Sequence, residues 1–217
     1  MPQKDDSLSR LQAQLSEVLT RVSEVSAEGR LDEALALIWA EQRNVLGLEP
    51  TLLNRLASAD LLRLLGPTGA PDLERTLACA DLLSAEFGVR TLQDTADPAQ
   101  AEKALELFFN MFAAEPGFAP SYAGRLDVLT QGLLNHGYEA APATRRALAE
   151  SYRAAGRFGE AENWLYRWQR LEPDAATSWA ETFYRELLGL SDEALIAGGL
   201  PRAEVEEGLA DVTRAST

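Results

Sequence analysis

The sequence is poor in the residues that most often carry cross-links or chemistry, with one cysteine, Cys79, and one histidine, His136, among 217 residues. A single cysteine cannot form an internal disulfide, which favours a reducing compartment. No stretch approaches the roughly 18 consecutive apolar residues of a membrane span. Residues 1–6 are polar and acidic, which is not typical of a secretory signal. We therefore predict a cytoplasmic protein that does not enter a membrane.

Basic residues are outnumbered, since 34 acidic side chains against 20 basic ones give a formal net charge of −14. The phosphate backbone of a nucleic acid would repel such a surface, so we do not expect nucleic-acid binding. An acidic surface attracts basic proteins. An acidic chaperone for a basic client is therefore one alternative function.

Catalytic motifs are missing from the sequence, which has no Gly-x-Ser-x-Gly, phosphate loop or Gly-x-Gly-x-x-Gly. His136 follows a predicted helix, where a protonated ring suits the helix dipole. Leu133 occupies the glutamate position of a helical Glu-x-x-His metal site. The neighbours of Cys79 do not indicate an activated thiol, and Glu102 and Glu106 are typical of a solvent-facing helix. We predict no catalytic activity, no cofactor and no metal site.

Strand signals are almost absent, because β-branched residues are sparse and apolar residues recur three and four positions apart. The stripe from Leu8 to Val25 predicts a first helix of about 20 residues. The clearest helix start lies at Asp97, followed by Pro98 and by Gln100 at the position of a capping-box partner. Short connections favour antiparallel neighbours. The sequence therefore predicts an all-α fold of antiparallel helical hairpins.

Glycine and proline predict most of the other helix boundaries. A second helix follows Gly29 and carries apolar residues over positions 31–45, and a third helix carries those over positions 53–64. A fourth helix begins near Pro71 and ends before Gly88.

Residues 142–175 have small and large residues in an ordered spacing. Pro142 opens one helix, Gly156 supplies a turn, and a second helix ends at Pro173. The residues at the characteristic positions are Leu148, Ala149, Tyr152, Ala161 and Leu165. This segment resembles a tetratricopeptide repeat, in which small residues lie where two helices cross. It departs from that family at Arg145, where the family favours tryptophan, and at Leu165, where it favours an aromatic residue.

Residues 101–116 resemble the second half of another repeat, with Ala104, Phe108 and Pro116 at the same offsets. The resemblance implies hairpins stacked as a short α-solenoid whose concave surface binds a protein partner, and it implies no chemistry. The repeats are irregularly spaced, so a compact irregular helical bundle is the alternative.

The resemblance also predicts the domain organisation. We expect a single helical-repeat domain over residues 7–212, clearest over residues 142–175, between disordered termini at residues 1–6 and 213–217.

An arginine-rich region precedes an acid-rich one near the C-terminus. Residues 145–170 contain six arginines and three glutamates, whereas residues 172–211 contain ten acids and two arginines. If the resemblance holds, the inner-helix residues Arg146, Glu150 and Arg153 face the groove. The guanidinium groups of Arg146 and Arg153 would then donate paired hydrogen bonds to a carboxylate of the partner.

Aromatic residues are concentrated in the same part of the chain, with eight of the 16 between Tyr152 and Tyr184. Trp164 and Trp168 lie on inward helix stripes and are predicted to be core residues. Tyr166 and Tyr184 fall off those stripes and are predicted to be exposed. Tyrosine and arginine are common anchors of protein interfaces, so Tyr184 completes the predicted binding surface.

These observations predict a non-catalytic scaffold or adaptor that binds a peptide or a partner domain in a helical groove. The alternative is a small-molecule-sensing domain or a helical enzyme, which would need an internal pocket. A homodimer has two predicted routes. The stripe from Leu8 to Val25 could form a coiled-coil seam, although it could instead pack on the next helix, and the arginine-rich region could meet the acidic C-terminal region of a second copy.

Overall fold

The computed structural model describes residues 3–66 and 72–215. All regular elements in these ranges are helices, which confirms the all-α prediction. The α-helices are α1 (Gln3–Ala27), α2 (Leu31–Glu41), α3 (Pro50–Arg55), α4 (Ser58–Leu65), α5 (Leu73–Leu92), α6 (Pro98–Ala114), α7 (Ala119–Asn135), α8 (Pro142–Ala154), α9 (Phe158–Gln169), α10 (Pro173–Leu188), α11 (Asp192–Ala197) and α12 (Arg202–Ala215).

The predicted disordered termini lie partly within these helices and partly outside the described residues. Residues 3–6 belong to α1 and residues 213–215 belong to α12. Residues 1–2 and 216–217, and the predicted start of the fourth helix near Pro71, lie outside the described residues.

Contacts divide the chain into two compact units. The first unit comprises Met1–Ala114 and Gly124–Glu139, and the second comprises Glu115–Ala123 and Ala140–Thr217. The single domain over residues 7–212 stays a prediction.

The first unit is built around α5, which packs against α1, α2 and α6. Side chains on every side of α5 are buried, as expected for a helix at the centre of a core. Phe87 of α5 lies so close to Gly132 of α7 that a Cβ atom at position 132 would overlap the phenyl ring. A side chain at that position would therefore displace the ring.

The N-terminal helix α1 packs against α2 and α5. Its apolar stripe is covered within the first unit, with Leu15, Val22 and Val25 at most 5% exposed. This agrees with the interpretation in which the stripe packs on the following helix. A homodimer through this helix stays a prediction.

The helical segment that begins with α2 ends at Gly47, as glycine predicts, whereas two other boundaries in the first unit differ from the sequence prediction. A π-helical turn, Gln42–Leu46, follows α2 and ends at Gly47, which has a φ of +67°. The single helix predicted over positions 53–64 is two helices, because Leu56 and Ala57 adopt extended backbone angles. The predicted stop at Gly88 is wrong, since α5 continues to Leu92. Glycine costs a helix only about 1 kcal/mol, and the burial of Val89 directly after Gly88 offsets that cost.

The second unit contains the predicted hairpin of α8 and α9, which pack extensively on each other. Gly156 in their short connection has a φ of +73°, a conformation that glycine adopts without strain. Pro173 is the first residue of α10, which packs on both α9 and α12. The short helix α11 was not predicted. Among the residues that the structure describes, no helix is both long and apolar enough to cross a bilayer.

The substitution Ala161→Leu tests the close packing of the hairpin. Ala161 lies on α9 with no exposed surface, so added methylene groups should force the helices apart and lower the free energy of unfolding by about 1–3 kcal/mol. Urea unfolding followed by far-UV circular dichroism measures this loss. Ala210→Leu on the exposed side of α12 is the matched control. Equal stability of the two variants would contradict a close crossing at Ala161.

Candidate functional site

The second unit contains a buried cation where the tetratricopeptide resemblance would have placed tryptophan. Arg145 is 8% exposed, and its guanidinium donates from Nε to the carbonyl of Ala140 at 2.7 Å and from Nη1 to that of Arg167 at 2.7 Å. Buried polar groups are normally hydrogen-bonded. Arg145 therefore ties the start of α8 to the last turn of α9.

Two of the arginines predicted to bind a partner already have intramolecular carboxylate partners. Arg146 Nε lies 2.9 Å from Glu150 Oε1, and its guanidinium stacks over Trp168 at 5.8 Å from the ring centroid. Arg153 pairs with Glu186 of α10. Exposed ion pairs of this kind contribute about 0–1 kcal/mol, so they are easily exchanged for other partners.

The prediction that Tyr184 is exposed is wrong, because the residue is 1% exposed. Its ring packs against α12, where it lies so close to Gly208 that a Cβ atom at that position would overlap the ring. The hydroxyl donates to Glu162 Oε1 at 2.7 Å. Tyr184 therefore joins helices within the unit and does not form part of its surface.

Burial affects the titration of both members of this pair. Desolvation, reinforced by the bond to Glu162, raises the pKa of Tyr184 well above its usual value. Desolvation also raises the pKa of Glu162 from the ordinary 4.5, and hydrogen bonds from Tyr184 and Tyr166 oppose that rise. When Glu162 is ionised, the hydrogen bonds from its tyrosine donors therefore stabilise the carboxylate.

One face of α9 is exposed and rich in interface-type residues. Asn163, Tyr166, Arg167 and Arg170 follow helical spacing and line an open groove. Tyr166 is 48% exposed, as predicted. Arg167 stacks over Trp164 at 5.2 Å from the ring centroid.

Unlike Arg146 and Arg153, neither Arg167 nor Arg170 pairs with a carboxylate within the described part of the chain. Both belong to the arginine-rich region over residues 145–170, but neither was among the residues predicted to bind a partner. Arg170 follows Tyr166 by four residues and follows Arg167 by three, and this helical spacing was the available signal.

The two residues tested for chemistry lie in the first unit. Cys79 is buried, and desolvation raises the pKa of its thiol to about 12. His136 follows the end of α7, with Nδ1 2.8 Å from the carbonyl oxygen of Gly132. Within residues 3–66 and 72–215 there is no group of three or more acidic, histidine or cysteine residues able to hold a metal ion.

The substitution Tyr184→Phe should destabilise the protein more at neutral than at acidic pH. A raised carboxyl pKa means that folding disfavours ionised Glu162, so losing its donor costs most where Glu162 is ionised in the folded protein, at pH values above its raised folded pKa. Because Glu162 is half-exposed, we expect the substitution to lower the free energy of unfolding by only about 1 kcal/mol at about pH 7, and by less at about pH 4. Urea unfolding at both pH values measures the difference.

The control repeats Tyr184→Phe in a Glu162→Gln background. There the pH dependence of the loss should disappear, because the side chain at position 162 no longer titrates. A loss that is equal at both pH values in the wild-type background would contradict the role of the Glu162 charge.

Comparison with known proteins places the chain in a family without identifying a characterised relative. No curated protein matches the sequence, and no solved structure matches it. The family DUF6483, described as a family of unknown function, matches residues 3–217. Because the match covers nearly the whole chain, this protein belongs to the DUF6483 family.

Proposed function

We propose that the protein is a non-catalytic interaction scaffold or adaptor, and that the exposed face of α9 binds an acidic segment of a partner protein. The observation that carries the proposal is the pair Arg167 and Arg170, which lack carboxylate partners within the described residues, beside the half-exposed Tyr166. We place this activity in the cytoplasm, where Cys79 stays reduced.

The geometry of Arg167 favours recognition of a carboxylate. Stacking on Trp164 holds the planar guanidinium in place, so less side-chain freedom is lost when it binds. A guanidinium can donate two parallel hydrogen bonds to one carboxylate. Arg170 lines the same groove one turn later and adds a second positive charge.

The composition of this face also favours a protein partner. Tyrosine and arginine are enriched among residues that dominate binding energy. Arg146, Glu150 and Arg153 on α8 form a secondary surface that can contribute after their ion pairs exchange. An acidic partner complements the α9 face, whereas a basic client would be repelled by it.

We propose that the α8–α9 hairpin is a tetratricopeptide-like unit of a short α-solenoid. The positive φ of Gly156 and the full burial of Ala161 support this reading. At the position where that family favours tryptophan, Arg145 donates hydrogen bonds to two main-chain carbonyl groups. A solenoid provides the extended surface that a peptide-binding adaptor needs.

The double substitution Arg167→Ala, Arg170→Ala should abolish partner capture while preserving the fold. Each lost charge-assisted hydrogen bond contributes about 1.5–3 kcal/mol, so affinity should fall at least about tenfold. A pull-down from native lysate with mass spectrometry identifies the partner, and titration with its acidic segment gives the affinity. Increasing salt should weaken the wild-type complex.

The matched control is Arg146→Ala, Arg153→Ala, which removes two arginines that are already ion-paired. It should lose less affinity than the α9 variant. Sedimentation of all three proteins tests whether the occupant is the acidic C-terminal region of a second copy. If the α9 variant captures the same partner with unchanged affinity, the proposed surface is wrong.

A further inference from the structure

The first unit contains a carboxylate, Glu86 of α5, whose side chain has no exposed surface. Arg90 Nε donates to its Oε1 at 2.9 Å, and Gln42 Nε2 donates to its Oε2 at 3.1 Å. Asn54 Nδ2 lies 3.4 Å from Oε1. Polar side chains from three separate segments therefore converge on one buried charge.

An open cavity of about 240 Å³ adjoins this network within the first unit. Its lining residues are Asn54, Arg90, Thr95, Asp97, Ala99, Gln100 and Lys103. The lining combines two cations with amide and hydroxyl groups. Such a mixture is suited to a small polar molecule, and the volume is below the 300–1,000 Å³ typical of drug-sized ligands.

A buried acceptor at this cavity lacks a hydrogen-bond partner within residues 3–66 and 72–215. Gln100 is 6% exposed, and its Nε2 donates to Asn54 Oδ1 at 3.1 Å, whereas its Oε1 accepts no hydrogen bond from the described part of the chain. The predicted capping-box role of Gln100 is therefore wrong. Buried polar atoms are rarely left unpaired in native proteins, so this oxygen is available to a donor on a ligand.

Two cations at the cavity retain unused donors. Arg90 binds Glu86 through Nε, and its guanidinium lies 5.9 Å from the centroid of the Trp39 ring. Its two terminal nitrogens have no hydrogen-bond partner among the described residues. Lys103 Nζ donates to the carbonyls of Leu53 at 2.9 Å and Asn54 at 2.8 Å, and an ammonium group has three protons to donate. Both side chains can thus bind an anion while keeping their structural contacts.

We propose that this cavity binds a small carboxylate that carries a neighbouring hydroxyl or ammonium group. The terminal nitrogens of Arg90 and the third donor of Lys103 hold the carboxylate. The hydroxyl or ammonium group donates to Gln100 Oε1. The Asp97 carboxylate in the lining disfavours multiply charged anions such as phosphate.

A matched series of three-carbon probes tests the proposal on the full chain. The probes are L-lactate, L-alanine, propionate and 1,2-propanediol, titrated separately and followed by amide chemical shifts. We expect saturable binding of lactate or alanine, at least about tenfold tighter than propionate, since one hydrogen bond contributes about a factor of ten. Propanediol, which lacks the carboxylate, should not bind.

Two variants assign the roles of the residues. Gln100→Met should bring the affinity ratio of lactate to propionate close to one while propionate binding is retained. Arg90→Lys should lose at least about tenfold for every carboxylate, because it replaces the planar guanidinium, which donates to Glu86 and to the ligand through separate nitrogens, with a single ammonium group that lacks this geometry. Arg63→Lys, on the exposed side of α4, is the control and should bind all probes as the wild type does.

Absence of saturable binding by all the carboxylates would overturn the proposal, as would wild-type binding of propionate that equals that of both lactate and alanine. If the Arg90→Lys variant does not fold, the affinity ratio of lactate to propionate in the Gln100→Met variant tests the proposal by itself. The Arg167→Ala, Arg170→Ala variant should bind lactate normally, so this result is independent of the proposed protein-binding function.

Discussion

The pairing of one buried carboxylate constrains the first unit. Glu86 has no contact with solvent, and removing one partner of a buried charge typically costs about 3–5 kcal/mol. Its donors Gln42 and Arg90 lie in the π-helical turn and one turn further along α5, and Asn54 of α3 adds a third contact. These segments must therefore be placed so that their polar side chains reach Glu86 while their apolar side chains pack in the core.

A buried cation has a similar role in the second unit. Arg145 donates to two main-chain carbonyls and so joins α8 to the end of α9. Other arginines stack on aromatic rings of the hairpin, including Arg146 on Trp168 and Arg167 on Trp164. This arrangement fixes side chains that would otherwise be mobile, and it leaves the exposed face of α9 with positive charge in an acidic protein.

The two proposed sites use different chemistry. On α9, arginines and a tyrosine present an open surface of the kind that recognises a protein segment. In the first unit, cations and amide groups surround a small cavity of the kind that recognises a single polar molecule. Each site lies within one unit, so each can be tested by substitutions in that unit alone.

The local sequence determined the helical class and many helix boundaries. Apolar residues that recur about every 3.6 positions depend only on residues close together in the chain. The same is true of the Asp97 cap and of the positive φ of Gly156. The same local reasoning failed at Leu56, where the backbone is extended, and at Gly88, where α5 continues and buries Val89.

Only the tertiary structure decided which polar groups meet. Tyr184 is buried because α12 covers it through Gly208, although its helical position alone predicted exposure. Arg153 finds a carboxylate 33 residues away, and Glu86 binds Gln42 across 44 residues. Sequence spacing cannot predict such pairs, because helix periodicity orients each side chain only about its own axis, whereas the packing of distant helices chooses its partner.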